Sequence, residues 1–258
     1  MPRMLSTFFR RIRGKRKEYP IDINRLQEKI GYVFSNPDRL VKAVSHRSSF
    51  SQSAAQVLHS NERLEFLGDA VLGLIVTRYL YDRFPEENEG ILSRKKAVLV
   101  SRKVLGVISQ QLELGEFLIL NKGEEKTGGR KKMSNLANLF EAVLGAIYLD
   151  GGFEAAEAFV KKYLLKQAGR FLTEERFFNY KSQLLEFSQA RGWGIPRYQT
   201  IAESGPDHNK TFRVEVVVYE NYRGEGEGPN KKNAEQKAAR DVVEKLSVDY
   251  PELKGKVS

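Results

Sequence analysis

The spacing of apolar residues changes period once along this chain, and that break limits the folds open to it. From Ile21 to about Arg170 the spacing is helical almost throughout, whereas beyond Leu172 it turns to alternation. Leu64, Phe66, Leu67, Val71, Leu72, Leu74 and Ile75 mark a helix apolar around most of its circumference, as a buried central helix would be. Residues 91–114 read as two further helices with Val98, Leu99, Val104, Leu105 and Ile108 facing inward. Residues 136–149 form another, closed by Asp150-Gly151-Gly152, where glycine suits a left-handed cap. Between them the polar, Gly- and Lys-rich run 121–133 reads as a loop, and no strand pattern precedes Leu172.

Beyond Leu172, the charged segment Thr173-Glu174-Glu175-Arg176 reads as a linker, and residues 179–190 as an amphipathic helix with Leu184, Leu185 and Phe187 on one side. Phe212, Val214, Val216 and Val218 then alternate with Arg213, Glu215 and Val217, a period-two pattern with β-branched residues that predicts a strand. Residues 198–202 supply another, 224–228 fit a third strand or its turn, and 231–246 returns to helical spacing. The expected fold class is therefore an all-α domain followed by a small α+β domain of order α-β-β-β-α. Its expected boundaries are a disordered basic extension over 1–20, a helical domain over 21–172, a linker over 173–178, the second domain over 179–248 and a tail over 249–258.

At 258 residues with 41% hydrophobic and 29% charged side chains, the chain can bury a core. No apolar run approaches the roughly 20 residues that span a bilayer, so no membrane partner is expected. There are no cysteines and only three histidines, His46, His59 and His208. Disulfides, thiolate metal sites and cysteine nucleophiles are excluded, a reducing cytoplasm fits, and any metal must be held by oxygen. Net charge is +10, which favours a polyanionic partner. Yet residues 1–20 carry seven basic side chains against Glu18 alone, so most of the excess lies there. That extension is too short in apolar residues for a secretory signal; an organellar transit peptide fits it, and a tail adding phosphate affinity fits it more simply.

The most informative stretch is Asn61-Glu62-Arg63-Leu64-Glu65-Phe66-Leu67-Gly68-Asp69. Glu62, Glu65 and Asp69 stand at i, i+3 and i+7, which places the three carboxylates on one helical face, where they repel. A second helix offers Asn138 and Glu141 among Leu136, Leu139, Phe140, Val143 and Leu144. Carboxylates in such company need a partner. Ordinary solvated faces, with a lysine beside Glu141, would also fit the spacing; the apolar surroundings favour a cation, and all-oxygen donors favour Mg²⁺, with Mn²⁺ as a substitute.

The run Asn61–Ala70 resembles the signature of the ribonuclease III family. Ser45-His46-Arg47-Ser48, Glu89-Gly90-Ile91-Leu92-Ser93, Lys122-Gly123-Glu124-Glu125, Phe140-Glu141-Ala142 and Gly145–Asp150 match in order, over roughly residues 21–163. The resemblance implies a metal-dependent endoribonuclease acting on double-stranded RNA as a homodimer, each subunit cutting one strand to leave two-nucleotide 3′ overhangs, in the maturation of ribosomal precursors and some messenger RNAs. It implies Glu65 and Glu141 as metal ligands, Asp69 as ligand or water-orienting group, and Glu62 and Glu89 as supporting acids. Phe66 would plug into the partner subunit; a simple core role fits the sequence equally. At Asn138 the family most often has aspartate. An amide oxygen can still ligate the ion but brings no charge, so a duplex-RNA binder with weakened or lost cleavage is the alternative. A structural helical protein with a basic tail would leave every motif unexplained.

Residues 179–246 resemble a double-stranded RNA-binding domain, through Tyr180-Lys181-Ser182, Gly205-Pro206-Asp207-His208 and the run from Asn230 to Ala239. That likeness implies Ser182 and Glu186 on one minor groove, His208 on the next, and Asn230, Lys231 and Lys232 on phosphates between. Leu185 stands where relatives often place a polar contact. The module is near neutral, with eleven basic against ten acidic side chains over 178–247, so binding must rest on one face.

Overall fold

The computed structural model describes residues 18–50, 58–206, 210–219, 221–250 and 253. The chain divides into two compact units, 1–68 with 109–159, and 69–108 with 160–258.

In the first unit, α1 (Ile23–Ile30) starts at the Asp22 side chain, which accepts the Arg25 N–H, and ends at Gly31 in the left-handed region. Helix α2 (Pro37–Ala43) is capped by Asn36. The Asp150 carboxylate fastens the intervening turn, accepting the Ser35 and Asn36 N–H groups, the Tyr32 hydroxyl and Arg39. Those bonds hold its pKa below the usual carboxylate range against the opposing effect of burial.

Helix α3 (Glu62–Arg83) carries the signature. Leu64, Val71, Leu72, Ile75, Val76 and Leu80 are buried, but Phe66 is 80% exposed and Leu74 and Tyr81 are also open to solvent. All-round burial therefore fails along one side of the helix. Helices α4 (Glu89–Leu99) and α5 (Arg102–Gln111) form as expected. The expected loop over 121–133 instead holds α6 (Lys122–Lys126) and a 3₁₀ turn, Gly129–Lys131. Asn121 caps α6 by accepting the Glu124 N–H, a local bond that outweighs the polar, glycine-rich composition.

Helix α7 (Met133–Tyr163) is kinked at Gly152, with φ 77° and ψ −171°, so the glycine break expected here bends the run rather than ending it. Residues 133–173 contain a window apolar enough by composition to cross a membrane, although no unbroken apolar run marks it; 56% of that window is buried within the protein. Its apolar residues serve the core.

In the second unit, α8 (Ala168–Thr173) is followed by a 3₁₀ turn at Glu175–Phe177 inside the expected linker. Phe177 is buried edge-on against Phe171 at 5.0 Å. Helix α9 (Tyr180–Ala190), strands β1 (Arg197–Ser204), β2 (Thr211–Val218) and β3 (Tyr222–Gly228), and helix α10 (Lys231–Asp249) complete the chain. The strands form an antiparallel sheet in the order β1-β2-β3, with an irregularity between Thr200 and Ala202. Val214, Val216 and Val218 face the two helices, as the alternation predicts, and pack with Leu184, Phe187, Val242 and Leu246. Leu253 joins this core, and the Gln183 side chain donates to its carbonyl. The module thus extends past the expected boundary at 248.

Candidate active site

The first two turns of α3 are fixed by backbone bonds. Asn61, buried at 3% exposure, donates its N–H to the Ser45 carbonyl and accepts the Leu64 and Glu65 N–H groups. Helices α3 and α7 then meet without side chains between them. A Cβ on Gly68 would lie 1.8 Å from the Glu141 carbonyl oxygen, and one on Gly145 would lie 2.3 Å from the Leu64 carbonyl oxygen. Glu65 sits one turn before Gly68, and Glu141 one turn before Gly145. Both residues therefore stand one turn from a single backbone crossing, and both are half-buried. Asn138, one turn before Glu141 on α7, is half-buried too.

The other predicted residues each have their own local setting. Glu62 accepts from Ser60 Oγ at 3.3 Å and pairs with Arg47 at 3.5 Å. Asp69 is exposed on α3, one turn beyond Glu65. Glu89 opens α4 and accepts from Ser93 Oγ at 2.7 Å. Among the described residues no three carboxylate or imidazole groups already converge as a formed cation site. The donor chemistry nonetheless suits a hard divalent ion: two carboxylates and an amide oxygen at one glycine-packed crossing, with no soft ligand among them.

Two features escaped the sequence reading. One is the role of Gly68 and Gly145, which only a contact between helices reveals. The other is a polar strap over 44–48 and 119–135, which includes the matched runs Ser45-His46-Arg47-Ser48 and Lys122-Gly123-Glu124-Glu125. Here Arg130 donates one nitrogen to the carbonyls of Gly115, Glu116 and Leu118. Glu124 accepts from Lys132 and Asn135 at 2.8 and 3.0 Å, and those bonds lower its pKa.

In the second unit, Asn179 caps α9 by accepting the Ser182 N–H and also accepts from Gln236 on α10 at 2.8 Å, tying the two helices. Ser182 and Glu186 stand exposed one turn apart on α9. Asn230 caps α10 through the Asn233 N–H at 2.9 Å, so Lys231 and Lys232, both exposed, stand at its positive end. Lys231 pairs with Glu203 at 3.2 Å. His208 lies outside the described residues.

Residues 36–168 match the model of the ribonuclease-III-like family, and residues 180–246 that of the double-stranded RNA binding motif. Ribonuclease 3 of Leptospira interrogans is 44% identical over 232 residues, covering 90% of this chain and 94% of the relative. The chain belongs to the ribonuclease III family. Ribonuclease 3 of Bdellovibrio bacteriovorus is 43% identical over 220 residues, again with 94% of the relative covered. The nuclease domain of ribonuclease III from Campylobacter jejuni, described as flexible in a region involved in dimer formation, superposes with a TM-score of 0.52 at 40% identity. That match covers 56% of this chain and 97% of the other. As a ribonuclease III with both domains, this protein is an endoribonuclease that binds and cleaves double-stranded RNA.

Proposed function

We propose that this ribonuclease III hydrolyses duplex RNA with Mg²⁺, or Mn²⁺ in its place, held by Glu65, Asn138 and Glu141, with Asp69 as a further ligand or water-orienting carboxylate. What supports the reading is the close backbone crossing of α3 and α7 at Gly68 and Gly145, with Glu65 and Glu141, both half-buried, one turn from it on either helix. Such an ion activates water and stabilises charge on phosphoryl oxygens. Glu62 and Glu89 support cleavage from nearby. Asn138 supplies an oxygen without a charge, so the site binds its ion more weakly than an all-carboxylate set would.

The working unit in this proposal is a cytoplasmic homodimer. An exposed apolar stripe on a monomer marks a binding surface, and Phe66, Leu74 and Tyr81 provide one along α3. Ser182, Glu186, His208, Asn230, Lys231 and Lys232 hold the duplex by minor-groove and phosphate contacts, and the substrates are ribosomal precursors and some messenger RNAs. The test is cleavage of a labelled duplex of about 30 base pairs, roughly two footprints of such a module, with end mapping of the products. Wild type should yield two-nucleotide 3′ overhangs, and Phe66→Asp should sediment as a monomer and lose paired cuts. Binding without cleavage at any Mg²⁺ or Mn²⁺ concentration would overturn the proposal.

A further inference from the structure

The start of α3 and the start of α7 are tied together by the strap over 44–48. Ser45 accepts the Asn61 N–H at 2.9 Å, at the base of the helix that carries Glu65. The next residue, His46, donates its own N–H to the Ile119 carbonyl at 3.1 Å, while the Ile119 N–H returns to the Val44 carbonyl. The His46 side chain then turns the strap: its Nδ1 accepts the Ser48 N–H at 3.1 Å and lies 2.9 Å from Ser48 Oγ. Ser48 Oγ in turn accepts the Asn121 N–H at 3.2 Å. Asn121 caps α6, and Glu124 on α6 grips Lys132 and Asn135, the latter one turn before Asn138.

We infer that His46 is a positioning residue for cleavage, its Nδ1 acceptor setting the register between the two helices that carry Glu65 and Glu141. The inference rests on the site proposed above. An imidazole can do this only when neutral, with its proton on Nε2. The Ser48 N–H donating to Nδ1 is the contact of a neutral ring, and burial lowers the His46 pKa in the same direction, reinforced by Arg47 and Lys132 and opposed by Glu124 and Glu62. Its role differs from that of a group touching RNA, because an asparagine side chain can accept the same i+2 N–H in an Asx turn.

Single-turnover and steady-state cleavage of the duplex by the full chain test this, with His46→Ala, His46→Asn, Ser48→Ala and Glu141→Gln beside wild type. A small misplacement of reacting groups is costly, so His46→Ala should lower kcat by about 10- to 100-fold with KM little changed, and His46→Asn should restore most of it. Wild-type kcat in His46→Ala, or equal impairment in His46→Asn, would overturn the inference. Should His46→Ala not fold, Ser48→Ala carries the test: kcat must drop, and an unchanged kcat overturns the assignment. Normal cleavage by Glu141→Gln would instead sink the site reading, which keeps the two failures distinct.

Discussion

Helices α3 and α7 meet through Gly68 and Gly145, and strand β3 meets α10 through Gly224, Gly226 and Gly228. In both places glycine removes the side chain so that backbones touch. A Cβ on Gly226 would lie 2.3 Å from the Ala238 N and 2.4 Å from the Ala234 carbonyl oxygen, much as one on Gly68 would meet Glu141. The two contacts present opposite chemistry. The helical crossing leaves Glu65 and Glu141 half-buried. The sheet contact leaves Lys231 and Lys232 exposed at a helix N-terminus, where phosphate can reach both ammonium and dipole. Close backbone packing is the shared means; the two contacts differ in how deeply the charged residues beside them are buried.

The largest effect should come from Gly68→Ala. Its methyl would strike backbone at 1.8 Å, so the helices must part, at a cost of about 3 kcal/mol or more, read from denaturant midpoints. Gly226→Ala should destabilise the RNA-binding module, lowering duplex affinity while leaving the nuclease core folded. If Gly68→Ala were neutral, the crossing would not be the rigid element claimed.

Lys95 extends the comparison to a buried ion pair. It is 4% exposed, pairs with Glu87 and lies 3.5 Å from the centroid of the Phe84 ring. Lys95→Met alone strands Glu87, one of whose oxygens already lacks a hydrogen-bond partner, and should cost about 3 kcal/mol. Lys95→Met with Glu87→Leu should recover that stability, since apolar replacement of a buried pair is often neutral or better. A double variant no better than the single would show that the pair is a net stabiliser.

Smaller effects belong to the exposed side. Lys232→Ala should weaken duplex binding and reduce the salt slope by about 1, because one phosphate contact is lost. Glu203→Gln should be smaller still. It releases Lys231 from a surface ion pair worth about 0.2–1 kcal/mol, so affinity should rise by no more than a few-fold in a titration at fixed salt.

Much of this was readable from residue order. The period-two run from Phe212 to Val218 predicted both strand β2 and its buried face, because alternation maps directly onto a sheet. The seven apolar residues between Leu64 and Ile75 predict a helix buried around most of its circumference, and Leu74 departs from that pattern; for Phe66 periodicity leaves a core role and a partner contact equally open, and its side chain is exposed. Composition hid α6, where the Asn121 cap prevails over glycine and lysine. Glu65 and Glu141 are named by motifs, yet the approach of their two helices depends on two glycines 77 positions apart in sequence, and that contact is carried by the fold. The strap through His46 was invisible for the same reason: its bonds are largely main-chain, and residue type does not announce them.

The central claim is that acids from α3 and α7 act as one metal-dependent site. Its most direct test is the Mg²⁺ concentration giving half-maximal cleavage in wild type, Asn138→Asp and Glu141→Gln. The account predicts that Asn138→Asp works at lower Mg²⁺ and Glu141→Gln is inactive across the titration. Equal Mg²⁺ dependence and equal rates in all three would contradict it.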